Sequence, residues 1–177
     1  MEKNVVRAVL ILLLVLLNVG CDQVSKSMVR NKLDYHERIE LVGDYFIMTK
    51  VENEGAFLSL GSNLSPKMRS IFLTIIPTLG ILLAFVYVML QKDLTLLFLL
   101  GFCCIIGGGV GNLWDRILYE SVTDFFNMGI GSIRTGIFNM ADVSIMFGMG
   151  LVITDQIKRS IADKKKADSD RQETMQI

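Results

Sequence analysis

The residues of this chain able to do chemistry are chiefly three aspartates. Asp142 is the single charge inside an apolar run, residues 135–154, while Asp115 and Asp124 lie in the stretch just ahead of it. An ionised carboxylate inside hydrocarbon costs at least about 2.5 to 3.5 kcal/mol, so one that persists there marks a functional site. Asn139, three residues before Asp142, falls on nearly the same helical face. The structural alternative is a plain polar cluster at a helix start. Other hydrolytic chemistries lack their parts: there is no H-E-x-x-H, the one histidine, His36, sits in a charged loop, and no serine or cysteine has a histidine partner. Cys21, Cys103 and Cys104 are too few for a zinc framework and lie in or beside apolar runs, which reads as buried thiols acting as small hydrophobes. Clustered carboxylates support aspartic-protease hydrolysis, in which two acids share a proton because like charges close together cannot both ionise cheaply. One is base to a water and the other acid to the carbonyl or leaving amine. Neither metal nor cofactor is expected. Spacing leaves open which two acids pair, although Asp115 adjoins Arg116 and an aspartate paired with a guanidinium is poorly suited to sharing a proton. That favours Asp124 with Asp142.

The elements that must position these groups follow from composition. The chain has 177 residues, is 51% hydrophobic and has a mean hydropathy of +0.48, more apolar than soluble domains at about 45 to 50% with glycine counted. It reads as a mainly α integral membrane protein. Eighteen basic residues balance eighteen acidic ones, which leaves no basic field to gather nucleic acid. Crossing a bilayer takes about 20 apolar residues, and the chain offers four such stretches, about 8–29, 71–90, 94–113 and 135–154. The first carries Asp22 and Lys26 at i and i+4, able to pair on one face; the second and third carry no charge.

Residues 30–70 form an outer loop, whose stretch RIELVGDYFIMTKVENEGAFLSLG has the β-branched and aromatic content of short strands. A small β-rich cap is expected there. Only Gln91, Lys92 and Asp93 separate the second and third spans, which requires a helical hairpin. Pro77 predicts a kink in the second span, and the glycines at 107–109, placed just outside the third, read as close packing. The tail, residues 155–177, carries Lys158, Arg159, Lys164, Lys165, Lys166 and Arg171, and the amino end carries Lys3 and Arg7. The positive-inside rule then puts both termini in the cytoplasm and the β-rich loop with residues 115–134 outside. Six basic residues of that loop are interleaved with six acidic ones. The tail reads either as a solvated, partly disordered end or as a lipid-binding segment. Gly20-Cys21 after an apolar run has the look of a lipoprotein signal, but Asn18 stands where such a signal has leucine and no soluble domain follows. A retained helix is expected.

Five blocks recur in order over the four spans: Asp22 with Lys26; Asn53-Glu54-Gly55-Ala56-Phe57; Gly111-Asn112-Leu113-Trp114-Asp115-Arg116; Val122-Thr123-Asp124-Phe125; and Phe138-Asn139-Met140-Ala141-Asp142. Together they resemble the bacterial lipoprotein signal peptidases, also called signal peptidase II. The resemblance implies a single membrane-embedded peptidase domain over residues 1–177, with four transmembrane helices, a small extracytoplasmic β-cradle and a short membrane-lying helix. It implies an aspartic endopeptidase of the bacterial inner membrane, active near the outer face, that cuts prolipoproteins before their diacylglyceryl-modified cysteine. Its surroundings would be membrane lipid, and cyclic peptides of the globomycin type would inhibit it.

Carried over position by position, the catalytic dyad falls on Asp124 and Asp142. Asn53, Gly55, Asn112, Arg116 and Asn139 fall on positions that hold the substrate backbone or orient the dyad, Asp115 becomes a supporting acid, and Asp22 with Lys26 a structural or orienting pair. The chain departs from the pattern at Phe57-Leu58, where many relatives have Ala-Phe, and in its basic tail. Gly55 and Gly61 suggest a loop that closes over the site. The competing reading is a non-enzymatic transporter or channel subunit with Asp142 and the Asp22/Lys26 pair along an ion path. That reading wants midplane charges and repeated halves, whereas these acids gather toward one face and the halves show no repeat. An inactive relative would lack a dyad acid, and neither is missing.

Overall fold

The computed structural model describes residues 2–55 and 63–174. Helix α1 (Glu2–Lys32) leads to strands β1 (Ile39–Val42) and β2 (Phe46–Asn53). Next come α2 (Pro66–Ser70), a π-helical turn (Ile71–Ile75) and α3 (Ile76–Leu90) as one continuous helix, then α4 (Leu96–Tyr119), β3 (Val122–Ile130), β4 (Ile133–Arg134) and α5 (Met140–Thr174). Among the described residues four stretches are long and apolar enough to cross a membrane: Asn4–Lys32, Pro66–Leu90, Leu96–Tyr119 and Met140–Gln172. The expected membrane architecture is therefore present, with altered boundaries.

Ser65 starts the second span, its hydroxyl accepting from the Met68 amide while Pro66 sits at the first helical position, where its missing N–H costs nothing. Pro77 lies further along and cannot donate to the preceding turn. The helix accommodates it by widening just ahead, where the Ile76 amide reaches back to Ile71 O. The third span continues past 113 to Tyr119, so residues 107–116 lie inside the helix rather than beyond it. It stops where Glu120 adopts φ 58. The fourth helix starts at Met140 rather than 135, because Phe138 is paired with Phe126 as an extra rung on the sheet. Its far end departs from expectation too: the tail is helical to Thr174. Lys, Arg, Asp and Ala are compatible with a helix that is exposed all round, and Arg159 pairs with Asp155 one turn back at 2.7 Å.

The cap is a four-stranded antiparallel sheet in the order β1-β2-β3-β4. Only half of it comes from the loop at 30–70. β3 pairs with β2 in a register that sets Asn53 opposite Val122 and Val51 opposite Asp124. Among the described residues no short helix stands apart from the spans, since Pro66–Ser70 runs directly into the second.

Helix α4 packs against α1, α3 and α5. A Cβ on Gly108 would sit 2.4 Å from Ala141 O, and one on Gly111 would sit 2.5 Å from Asp22 Oδ2. Absent side chains thus let α5 and α1 approach α4 where the polar site is built. At the opposite end Arg7 donates to Val88 O at 2.8 Å, to Met89 O at 3.4 Å and to Gln91 O, closing the carboxyl end of α3. Of the cysteines, Cys103 is buried and Cys104 half-buried, but Cys21 is exposed. Asp22, the next residue, is the one that turns into the bundle, and a 100° step round the helix leaves Cys21 facing away.

Candidate active site

Asn139 and Asp142 open α5 with a reciprocal cap. Asn139 Oδ1 accepts from the Asp142 amide at 3.0 Å, and Asp142 Oδ2 accepts from the Asn139 amide at 3.1 Å. This satisfies two donors that a helix start leaves free, with a carboxylate at the positive end of the dipole. The plain polar cluster at a helix start is therefore real, and it coincides with the functional candidate. Across from it Asp124, on β3 and 4% exposed, accepts from Asn139 Nδ2 at 2.6 Å and from Asn53 Nδ2 at 2.9 Å. Asn112 on α4 completes the set, donating to Asp142 Oδ1 at 2.9 Å. Each carboxylate oxygen of the two acids accepts from an amide group.

The orientation of those amides is dictated from outside the pair. Lys26, fully buried, has only donors, and it donates to Asn112 Oδ1 at 2.9 Å. Asn112 must then turn its NH2 toward Asp142. The same oxygen takes Asn139 Nδ2 at 3.1 Å, so that NH2 lies between Asn112 and Asp124. At the other side the Gly55 amide donates to Asn53 Oδ1 at 2.9 Å, which turns the Asn53 NH2 onto Asp124.

Lys26 also pairs with Asp22 at 2.8 Å and Asp115 at 3.1 Å, and Arg30 pairs with Asp115 at 2.7 Å. Two acids and two cations thus offset one another, which is what makes burial of Asp22, Lys26 and Asp115 tolerable. Asp115 pairs with Lys26 and Arg30, whereas Arg116 turns away and donates to Gly55 O at 3.1 Å. The expected Asp115–Arg116 pairing is corrected accordingly, because adjacent helical residues diverge by about 100°. Asp115 remains committed to cations, as the choice of Asp124 with Asp142 required. Gly55 is buried and held at both its amide and its carbonyl, which does not describe a hinge; Ala56, Phe57, Leu58 and Gly61 lie outside the described residues. His36 is exposed in the turn before β1, at φ 63.

The carboxyl of Asp124 is pushed up to about 7, chiefly by burial and further by the negative charge of Asp142. Hydrogen bonds from Asn53 and Asn139 and the charge of Lys26 pull the other way. A carboxyl so placed holds a proton near neutral pH. Between Asn53, Asn112, Arg116, Asp124 and Asp142 lies a cavity of about 20 Å³, enough for one water among polar partners. A second cavity of about 540 Å³ shares Arg116 as a wall and is bounded by Glu52, Glu54, Arg69 and Thr74 among others.

All of the residues singled out from the sequence meet here: Asp22, Lys26, Asn53, Gly55, Asn112, Asp115, Arg116, Asp124, Asn139 and Asp142. Others were not foreseen. Gln23 donates to Asp22, to Gly111 O and to Asp115, and Glu52 accepts from Ser121 at 2.6 Å and Thr123 at 2.8 Å. Arg30 was readable in principle, since Asp22, Lys26 and Arg30 recur every four residues on one face.

A family model described as Signal peptidase (SPase) II matches residues 13–158. The lipoprotein signal peptidase of Moorella thermoacetica is 34% identical over 138 residues, covering 78% of this chain and 86% of that protein. That of Pelodictyon phaeoclathratiforme is 36% identical over 144 residues, covering 76% and 82%. A solved structure described as a bacterial membrane enzyme, determined by the in meso method, superposes with a TM-score of 0.74 at 28% identity, covering 85% of this chain and 88% of that one.

Proposed function

Because the chain belongs to the signal peptidase II family of bacterial lipoprotein signal peptidases, we propose that Asp124 and Asp142 are its catalytic dyad. The protein is a multi-pass aspartic endopeptidase of the inner membrane that acts on lipoprotein precursors. One observation carries the dyad reading: Asn139 donates to both acids, its side-chain amide to Asp124 at 2.6 Å and its backbone amide to Asp142 at 3.1 Å, so a single residue holds the two carboxyls. In this reading Asp124 carries the shared proton, as its raised pKa supports. Asp142, ionised, takes a proton from the water between them, and the resulting hydroxide attacks the carbonyl before the lipidated cysteine. Asp124 gives its proton to the carbonyl oxygen. Collapse then expels the cysteine amine, which collects the proton from Asp142, while one hydroxyl of the tetrahedral intermediate returns its proton to Asp124.

Lys26, Asn112, Asn139 and Asn53 hold the acids, and Arg116 steadies the Gly55 backbone beside the reacting bond. Asp22 and Asp115 keep Lys26 in place. The whole chain, residues 1–177, works as one membrane-embedded peptidase domain. Both termini and the basic tail face the cytoplasm and the dyad lies near the outer face, where a diacylglyceryl chain can enter sideways from lipid while water arrives from outside. Cyclic peptides of the globomycin type would occupy the same site.

The test is cleavage by the purified protein of a diacylglyceryl-modified prolipoprotein peptide and of its unmodified twin. Cutting of the lipidated peptide alone, directly before its cysteine and blocked by such a cyclic peptide, is expected. Cutting elsewhere, or indifference to the lipid, refutes the substrate assignment.

A further inference from the structure

The residue ahead of each proposed catalytic aspartate is held by α1. Ala141, before Asp142, gives its amide to Asp22 Oδ1 at 2.9 Å. Thr123, before Asp124, accepts Arg30 Nε on its hydroxyl at 2.7 Å and donates that hydroxyl to Glu52 Oε1 at 2.8 Å. Asp22 and Arg30 are eight residues apart on one helical face, about 12 Å along the axis at 1.5 Å per residue. Two segments from distant parts of the chain, β3 and the start of α5, are thus referred to one rod.

Arg30 is itself tightly located. Its guanidinium lies 2.7 Å from Asp115 Oδ2 and 4.1 Å from the centre of the Tyr119 ring, both on α4. Thr123 is fully buried, and its amide reaches Asp115 Oδ2 at 3.3 Å. Backbone and side chain of the residue preceding Asp124 are therefore pinned together, by groups that do not touch either acid of the dyad.

We infer that Arg30 is a positioning residue for the peptidase reaction: acting through Thr123, it sets where Asp124 stands relative to Asp142, with the Asp22-to-Arg30 face of α1 as the gauge between them. This rests on the dyad reading above. A misplacement of about 1 Å at a reacting group costs roughly a hundredfold in rate, so a held register matters more to turnover than to binding.

The experiment compares Thr123→Val, Thr123→Ser, Arg30→Lys and the Arg30→Lys/Thr123→Val double variant with the native enzyme, measuring kcat, KM and folded fraction, with Asp124→Asn alongside. Arg30→Lys keeps the charge opposite Asp115 but loses the fork that spans Asp115 and Thr123, so it separates positioning from folding. Arg30→Lys and Thr123→Val should each lower kcat per folded molecule roughly tenfold or more with KM little changed. Thr123→Ser, which keeps the hydroxyl, should restore turnover to within about twofold, and the double variant should be no worse than the poorer single one, as for groups acting as a unit. Normal kcat in Arg30→Lys and Thr123→Val, a Thr123→Ser as impaired as Thr123→Val, or additive losses would overturn the inference. If Asp124→Asn is dead while these variants are normal, the inference alone falls; if Asp124→Asn is active, the dyad reading falls and takes this one with it.

Discussion

Replacing Asn53 with alanine should raise the pH at which the enzyme loses activity. Asn53 Nδ2 donates to Asp124 Oδ2 at 2.9 Å, and that bond favours the ionised carboxylate, working against burial and against Asp142. A hydrogen bond to a charged group contributes about 1.5 to 3 kcal/mol, or about one to two pH units at 1.36 kcal/mol each. Asn53 is only half-buried, so water can replace part of the bond and the lower end of that range applies. Asp124 must hold its proton to act as the acid, so activity falls as pH rises through its pKa of about 7. Without Asn53 the carboxyl ionises less readily, and the alkaline limb of kcat/KM moves up by about one pH unit, reporting the free enzyme. Initial rates on a lipidated peptide between pH 5 and pH 9 would measure it, and the plateau rate should also fall because the acid is less well held. A limb that stays in place, or moves down, would refute the assignment of the proton to Asp124.

Asp124→Asn should gain in melting temperature relative to the native protein as pH rises above neutral. The fold raises this carboxyl from 3.8 to about 7, which lowers native stability as pH climbs through that window by up to about 4 kcal/mol; calorimetry should show that gain disappearing toward pH 4. Gly108→Ala should reduce both stability and turnover, since the new Cβ would sit 2.4 Å from Ala141 O and push the start of α5; about 1 to 3 kcal/mol of overpacking is expected, with kcat falling beyond the loss of folded protein. Arg7→Ala removes the guanidinium that closes α3 and should cost about 1.5 to 3 kcal/mol while leaving kcat per folded molecule unchanged.

The site was more legible in the sequence than the scaffold that holds it. Asp142 announced itself by breaking an apolar run, and Asn139 by its spacing. Asp124 stood out as an acid beside Asp115 and Asp142, Lys26 by its spacing from Asp22, and Asn53 and Asn112 only through the resemblance that the five polar blocks carry. Partners were harder to read, because a neighbour in sequence is not a neighbour on a helix: Asp115 adjoins Arg116 yet pairs with Lys26 and Arg30, 89 and 85 positions earlier. β3 was hidden for a related reason. The segment VTDFFNMGI is mostly buried on both faces, so it shows no alternation, and its pairing with β2 is long-range. The tail misled by composition, since a charged run suits a solvated helix as well as a disordered end.

The dyad itself is tested most directly by comparing the native protein, Asp124→Asn and Asp142→Asn on a diacylglyceryl-modified prolipoprotein peptide in detergent with a chelator present. Each substitution keeps the size of the side chain but turns one acceptor oxygen into an NH2 that faces an amide donor, so the folded fraction is measured alongside. The native protein is expected to cut directly before the lipidated cysteine, and both variants to be inactive while remaining folded. Near-normal cleavage by either variant would contradict the dyad reading and direct attention to Asp115.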